Sequence, residues 1–192
     1  IALSGTVSAG AASQLAALLR TENIAMAHAA PWLQDAAEVD ERTFPIFASR
    51  QDQIVFALKS LSNMGVRDLG AIYATQQDFA LQHEGVERTA STLQLRLQSF
   101  QAGADARDLG QRLTPGTPAI LLFVGGTPEL ARFTQGLEKQ TRQRYLVALA
   151  DVNLQTLMQM GAARNTPVIA TQPVPVVTAS LPLVRAYREV MG

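Results

Sequence analysis

The 192-residue sequence contains no cysteine and only two histidines, His28 and His83. The missing cysteine excludes disulfide bonds, a zinc site built on thiolates and a thiol nucleophile. Two histidines are too few for a histidine-rich metal site, and they disfavour a Ser-His-Asp triad. The sequence therefore predicts no metal, no cofactor and no catalytic residue.

The sequence also lacks an excess of charge of either sign and a long apolar run. Sixteen basic and sixteen acidic residues cancel to a net charge of zero, which leaves no electrostatic footprint for nucleic acid or for an anionic membrane. No apolar run reaches the length of about 18 residues that a membrane helix needs. With 47% hydrophobic and 17% charged residues, the chain is predicted to bury a packed core.

What the sequence does contain is a regular alternation of short apolar runs with longer segments of helical period. Predicted strands begin near Leu69, Leu95, Ala119 and Tyr145, about 25 residues apart. The segments between them carry apolar residues at helical spacing, and Gly65 stands where a helix would end. This alternation predicts βαβ units in an α/β fold with a mostly parallel sheet.

Two turns that combine glycine with a hydroxyl join a predicted strand to a predicted helix. One runs from Ser4 to Gly10, and the other is Gly125-Gly126-Thr127. Glycine lets the backbone approach a ligand closely, and the free N–H groups of the following helix attract an anion. Open α/β sheets bind small molecules at the carboxyl ends of their strands. Both turns therefore indicate a binding site, although ordinary βα connections have the same pattern.

Several local segments, taken in their order, resemble type I periplasmic solute-binding proteins of the branched-chain amino-acid transporter kind. The segments are Leu18–Met26, Met64–Tyr73, Leu121–Glu129, Thr171–Pro175 and Ser180–Tyr187. The resemblance implies an α/β fold of two Rossmann-like lobes, with parallel sheets, helices on both faces and a ligand held between the lobes.

The resemblance also implies a division of the chain. Residues 1–49 would be part of lobe one, residues 50–171 would be lobe two, and residues 172–192 would be the crossover and the returning helix of lobe one. The family's first strand–helix units and everything after the returning helix would be missing. The resemblance therefore predicts a truncated chain with an incomplete lobe one, which could pair with another copy through its open sheet edge.

The family's binding positions, carried over to this sequence, predict a set of ligand contacts from both lobes. They are Ser8, Ala9, Gly10, Ala29, Ala30, Tyr73, Gly126, Thr127 and Asp151. The resemblance implies that the turn at Ser8 holds a carboxylate and that Asp151 accepts an ammonium. Alternatives stay open, because Asp151 and Thr127 could instead cap helices and Tyr73 could be a wedge between core and surface.

The function implied is that of an extracytoplasmic or periplasmic receptor rather than an enzyme. It would bind a small polar solute, an amino acid or a related molecule, and deliver it to the membrane subunits of an ABC transporter. A ligand-sensing domain of the same fold in a receptor or regulator is an alternative that the fold does not separate from it. A nucleotide-binding enzyme is a lesser alternative, since it needs a G-x-G-x-x-G turn that Gly125-Gly126-Thr127 does not supply.

Overall fold

The computed structural model describes residues 2–5, 15, 17–28, 43–45, 48–160, 165–171, 182, 185–186 and 189. Within these residues the chain forms two parallel sheets. The smaller sheet has three strands in the order β1-β2-β3, and they are β1 (Ala2–Gly5), β2 (Ala25–His28) and β3 (Thr43–Pro45). The predicted ligand contacts of lobe one lie outside the described residues.

The larger sheet has five parallel strands in the order β5-β4-β6-β7-β8. They are β4 (Asp68–Tyr73), β5 (Arg96–Gln101), β6 (Ile120–Val124), β7 (Tyr145–Ala148) and β8 (Val168–Ala170). The register pairs Tyr73 with Val124, and Ala148 with both Phe123 and Ala170. The carboxyl ends of β4, β6, β7 and β8 therefore lie next to one another at one edge of the sheet.

Helices connect the strands of the larger sheet. They are α1 (Arg50–Asn63), α2 (Gln76–Thr92), α3 (Ala106–Arg112), α4 (Thr127–Leu137) and α5 (Leu154–Gln159). Four of them begin at a side chain that accepts a hydrogen bond from a backbone N–H of the first turn, namely Ser49, Thr75, Asp105 and Asn153. Helix α1 ends before Gly65, whose φ of +88° is the left-handed conformation that favours glycine, as the sequence predicted.

The helices cover both faces of the larger sheet, so its central strands are apolar on both sides. Along β6, Leu121 and Phe123 pack against α3, α4 and α5, whereas Leu122 and Val124 pack against α1 and α2. The largest fully buried side chains belong to these two clusters, among them Phe133 of α4. This doubly wound arrangement confirms the predicted α/β fold.

Candidate functional site

The candidate site lies where β4, β6, β7 and β8 end. The chain leaves these strands at Ala74, Gly125, Leu149 and Thr171. Polar groups at or just after these exits are joined to one another directly or through Arg50 and Gln53 of α1. The parallel register places all four exits on one edge. This edge is where an open α/β sheet exposes backbone groups to a ligand.

A buried arginine organises the edge. Arg50, the first residue of α1, contacts the Asp151 carboxylate through Nε and Nη2, each at 2.5 Å, and the Asp78 carboxylate through Nη1 at 3.0 Å. The side chains of Arg50, Asp78 and Asp151 are 10%, 10% and 5% exposed. These three residues, called here the Arg50 triad, join α1 to the exits of β4 and β7 and carry a formal charge of −1.

Burial and charge act against each other in the Arg50 triad. Burial raises the pKa of the Asp151 carboxyl above its usual range, and the charge of Arg50 only partly offsets this rise. Burial alone would lower the pKa of Arg50, but Asp151 and Asp78 outweigh it and raise that pKa. The guanidinium is therefore charged at any ordinary pH and is held between its two partners.

One carboxylate oxygen of the Arg50 triad is unpaired within the described part of the chain. Asp151 receives both of its contacts on Oδ2, and its buried Oδ1 accepts no hydrogen bond from the described residues. A buried carboxylate oxygen without a donor is costly. An N–H or O–H group that reaches Oδ1 would remove that cost, so Oδ1 is a candidate hydrogen-bond acceptor of this edge.

The glycine turn after β6 is tied to the same place. The Thr127 Oγ1 donates to the Asp151 carbonyl at 3.4 Å and accepts from the Asn153 N–H at 2.9 Å. Gly126 is the N-cap residue of α4 and has no side chain with which to cap it. At Gly125 a Cβ would lie 2.4 Å from the Cβ of Ala74, so only glycine allows these two exits to approach so closely. Thr127, Gly126 and Asp151 are thus brought together at this edge, and their role as ligand contacts stays a prediction.

Neither Thr127 nor Asp151 is a helix cap, the alternative role that the sequence left open for both. Thr127 is the first residue of α4 rather than its cap, and its hydroxyl bonds to the next loop. The cap of α5 is Asn153, which accepts from the Thr156 N–H at 2.9 Å, while Asp151 pairs with Arg50.

Tyr73, the last residue of β4, is buried. Its side chain is fully buried in the core between the sheet and α2, with edge-to-face contacts to Phe79 and His83 at centroid distances of 5.2 and 5.6 Å. Burial raises its pKa to about 12. In this structure Tyr73 is therefore a core residue, buried more deeply than the wedge between core and surface that the sequence left open, and its role as a ligand contact stays a prediction. Ser8, Ala9, Gly10, Ala29 and Ala30 lie outside the described residues, so their roles stay predictions.

Sequence analysis did not identify Arg50 and its partner Asp78, nor Gln53, as residues of this edge. Arg50 reaches Asp78 and Asp151, 28 and 101 residues further along the chain. Gln53 donates to the Ala48 carbonyl at 3.1 Å and accepts from Ala150 N at 2.9 Å and from Thr171 Oγ1 at 2.8 Å. No local pattern announces such distant partners. In the sequence, Arg50 and Gln53 are simply polar residues in the first turn of a helix. Polar residues are common there, so their position does not indicate a site.

Over the described ranges, no group of three or more histidine, aspartate or glutamate side chains could hold a metal ion. In that part of the chain no helix is both long and apolar enough to cross a membrane.

The structure is similar to solved type I periplasmic binding proteins. An extracellular ligand-binding receptor from Verminephrobacter eiseniae has a TM-score of 0.77 at 16% identity, over 99% of this chain and 57% of the other. A leucine-binding protein from Thermotoga maritima has a TM-score of 0.76 at 15% identity, over 98% and 55%. A fatty acid ABC transporter substrate-binding protein from Thermomonospora curvata has a TM-score of 0.72 at 12% identity, over 97% and 49%.

No protein-family model and no curated protein sequence matches the chain. The likeness therefore establishes the fold, which is that of type I periplasmic binding proteins. The chain spans about half the length of these solved proteins.

Proposed function

We propose that the chain is the solute-binding part of an extracytoplasmic receptor, and that the carboxyl edge of the five-stranded sheet is lobe two's side of its ligand cleft. The observation that carries the proposal is the buried, unpartnered Oδ1 of Asp151 beside the glycine turn that Thr127 ties to it. Polar groups from three strand exits converge there, and such an edge is the binding position in this class of sheet.

The net charge of the carboxyl edge limits which chemical groups a ligand can present to it. Arg50 already neutralises one of the two carboxylates, so the edge retains a single negative charge rather than two. Oδ1 of Asp151 needs a donor, which an ammonium, an amide N–H or a hydroxyl can supply. We therefore propose a small polar solute that presents such a donor to lobe two, an amino acid or a related molecule. Its opposite end would face Ser8, Ala9, Gly10, Ala29 and Ala30.

The fold by itself does not choose the solute. Among the solved proteins of this fold, one is named for leucine and another for fatty acids. The ligand preference proposed here depends instead on Asp151 and its surroundings.

The remaining parts of the proposal concern the whole protein. The division into residues 1–49, 50–171 and 172–192, delivery to ABC transporter membrane subunits and an extracytoplasmic location rest on the fold. Gln53 supports the division, because it ties both Ala48 and Thr171, the two points where the proposed lobes meet, to the larger sheet. Hinge closure about those points needs no catalysis. Self-association through an open sheet edge remains a prediction.

Isothermal titration calorimetry of the full chain tests the proposal. The solutes are leucine, valine, a small amide, an aromatic acid, octanoate and ATP. One polar solute with a donor group should bind, and Asp151→Asn should weaken it about tenfold or more, because a charge-assisted hydrogen bond is lost. The matched control is Asp68→Asn, since Asp68 also pairs with an arginine but is exposed.

Two results would contradict the proposal. One is the absence of heat with every solute while circular dichroism shows a folded chain. The other is equal weakening by the Asp68 and Asp151 substitutions. Binding of ATP alone would favour the nucleotide-binding alternative.

A further inference from the structure

A polar cavity lies at the edge of the five-stranded sheet opposite to Asp151. It has a volume of about 230 Å³ and is formed by residues 137–138 and 140–144, which precede β7, and residues 165–166, which precede β8. Because these strands are parallel, the cavity lies at their amino ends, away from the edge that carries Asp151. Its main polar lining residues are Gln140, Thr141, Arg142, Arg144, Asn165 and Thr166.

The most unusual of these side chains is Arg144, which is 2% exposed. Its guanidinium donates to the carbonyls of Thr117 at 2.6 Å, Pro118 at 2.8 Å and Thr114 at 2.9 Å. A longer contact of 3.4 Å reaches Gln140 Oε1. All four acceptors are neutral, and the buried Nε finds no hydrogen-bond partner among the described residues.

Within the ranges that the structure describes, Arg144 is therefore a buried cation without a counter-charge. In the described part of the chain, no carboxylate lies within 4.0 Å of its guanidinium. Burial, and then the nearby charge of Arg142, lower the pKa of Arg144. A buried charge is costly unless it is paired, which contrasts with Arg50, held between two carboxylates at the other edge.

The rest of the cavity adds donors and a second cation. Arg142 is exposed and donates to the Pro115 carbonyl. Glu138 is the one acid among the described lining residues, so the lining has a formal charge of +1. Thr141, Asn165 and Thr166 supply hydroxyl and amide groups that can donate to an anion.

We propose that this cavity binds a compact oxyanion, either a tetrahedral one such as phosphate or sulfate or the carboxylate of a small acid. Arg142 and Arg144 supply the positive charge, and the hydroxyl and amide groups complete the shell of donors. The bound anion would provide the counter-charge that Arg144 lacks. The site is separate from the proposed solute cleft, and neither depends on the other.

The test is calorimetry of the full chain with inorganic phosphate, sulfate and acetate, in buffers whose ionic strength is held constant with sodium chloride. At least one anion should release heat and raise the melting temperature above that in chloride. Arg142→Gln should weaken the binding about tenfold or more, since it removes a charged donor, and Thr166→Val should weaken it less. Arg88→Gln, which removes an exposed arginine outside the cavity, should leave it unchanged.

The comparison of phosphate, sulfate and acetate distinguishes the two classes of anion. Tighter binding of phosphate or sulfate than of acetate identifies a tetrahedral ligand, and the reverse order identifies a carboxylate. Arg144 is left in place because it holds the loop at 114–118. The proposal is overturned if no anion acts beyond chloride. It is also overturned if Arg142→Gln and Thr166→Val, both folded by circular dichroism, bind as the parent does.

Discussion

Replacing Arg50 with methionine should destabilise the protein, because it removes the cation of the Arg50 triad at the carboxyl edge of the sheet. Arg50→Met keeps most of the aliphatic stem but removes a cation that contacts Asp151 at 2.5 Å and Asp78 at 3.0 Å. Breaking a buried ion pair by removing one partner costs roughly 3 to 5 kcal/mol, because the other charge stays buried. With a urea m-value of about 2 kcal/mol per molar, the unfolding midpoint should fall by about 2 M.

The pH dependence of that loss identifies its cause. Without Arg50, burial raises the pKa of Asp151 further above its model-compound value of 3.8, because the opposing charge is gone. A carboxyl whose folded-state pKa is raised loses stability as the pH rises from its unfolded pKa through its folded pKa. The difference between variant and parent should therefore be full at pH 7 and become smaller as the pH falls toward 4.

The matched control is Arg96→Met. Arg96 also contacts an aspartate through two nitrogens, Asp68 at 2.6 and 2.7 Å, but both side chains are exposed at the sheet edge. Exposed pairs of this kind contribute little to stability. Urea unfolding at pH 7 and pH 4 compares the two variants. Equal losses in both, or a loss in Arg50→Met that does not change with pH, would refute the assignment of the Arg50 triad as a buried charge network.

Three further substitutions test the core and the helix packing. Gly136→Ala should lower stability by about 1 to 3 kcal/mol in urea unfolding, because its Cβ would lie 2.2 Å from a carbonyl of α3; Gly103→Ala, with open space around it, should not. Phe133→Ala should cost about 3 to 5 kcal/mol, since Phe133 is fully buried, whereas Phe56→Ala, at 66% exposure, should cost little. The parent should lose stability above pH 10 as Tyr73 approaches its folded pKa of about 12, and Tyr73→Phe should reduce that loss.

Much of the fold could be predicted because it is encoded locally. The runs at 120–124 and 145–148 are apolar at every position, as strands covered on both faces must be. Gly65 and Asn153 mark the end of one helix and the start of another through interactions within a few residues. Such signals need no knowledge of distant parts of the chain.

The site was predicted only in part, because its decisive contacts are distant in sequence. Gly126, Thr127 and Asp151 could be placed by their positions after strands. The pairing of Arg50 with Asp151 spans 101 residues, and nothing near Arg50 indicates its partner. The orientation of Tyr73 could not be predicted either, because a position at the end of a strand does not determine the direction in which the ring packs. The side chain turned into the core against Phe79 and His83.

The central claim is that a polar solute binds at the carboxyl edge of the five-stranded sheet. Hydrogen exchange of the full chain, with and without a solute that releases heat in the calorimetric panel, tests it most directly. Amides in segments 124–129 and 149–153 should exchange more slowly when the solute is bound, and this protection should diminish in Asp151→Asn. Protection confined to other segments, such as 138–144, or unchanged exchange at both turns under saturating solute, would contradict the claim.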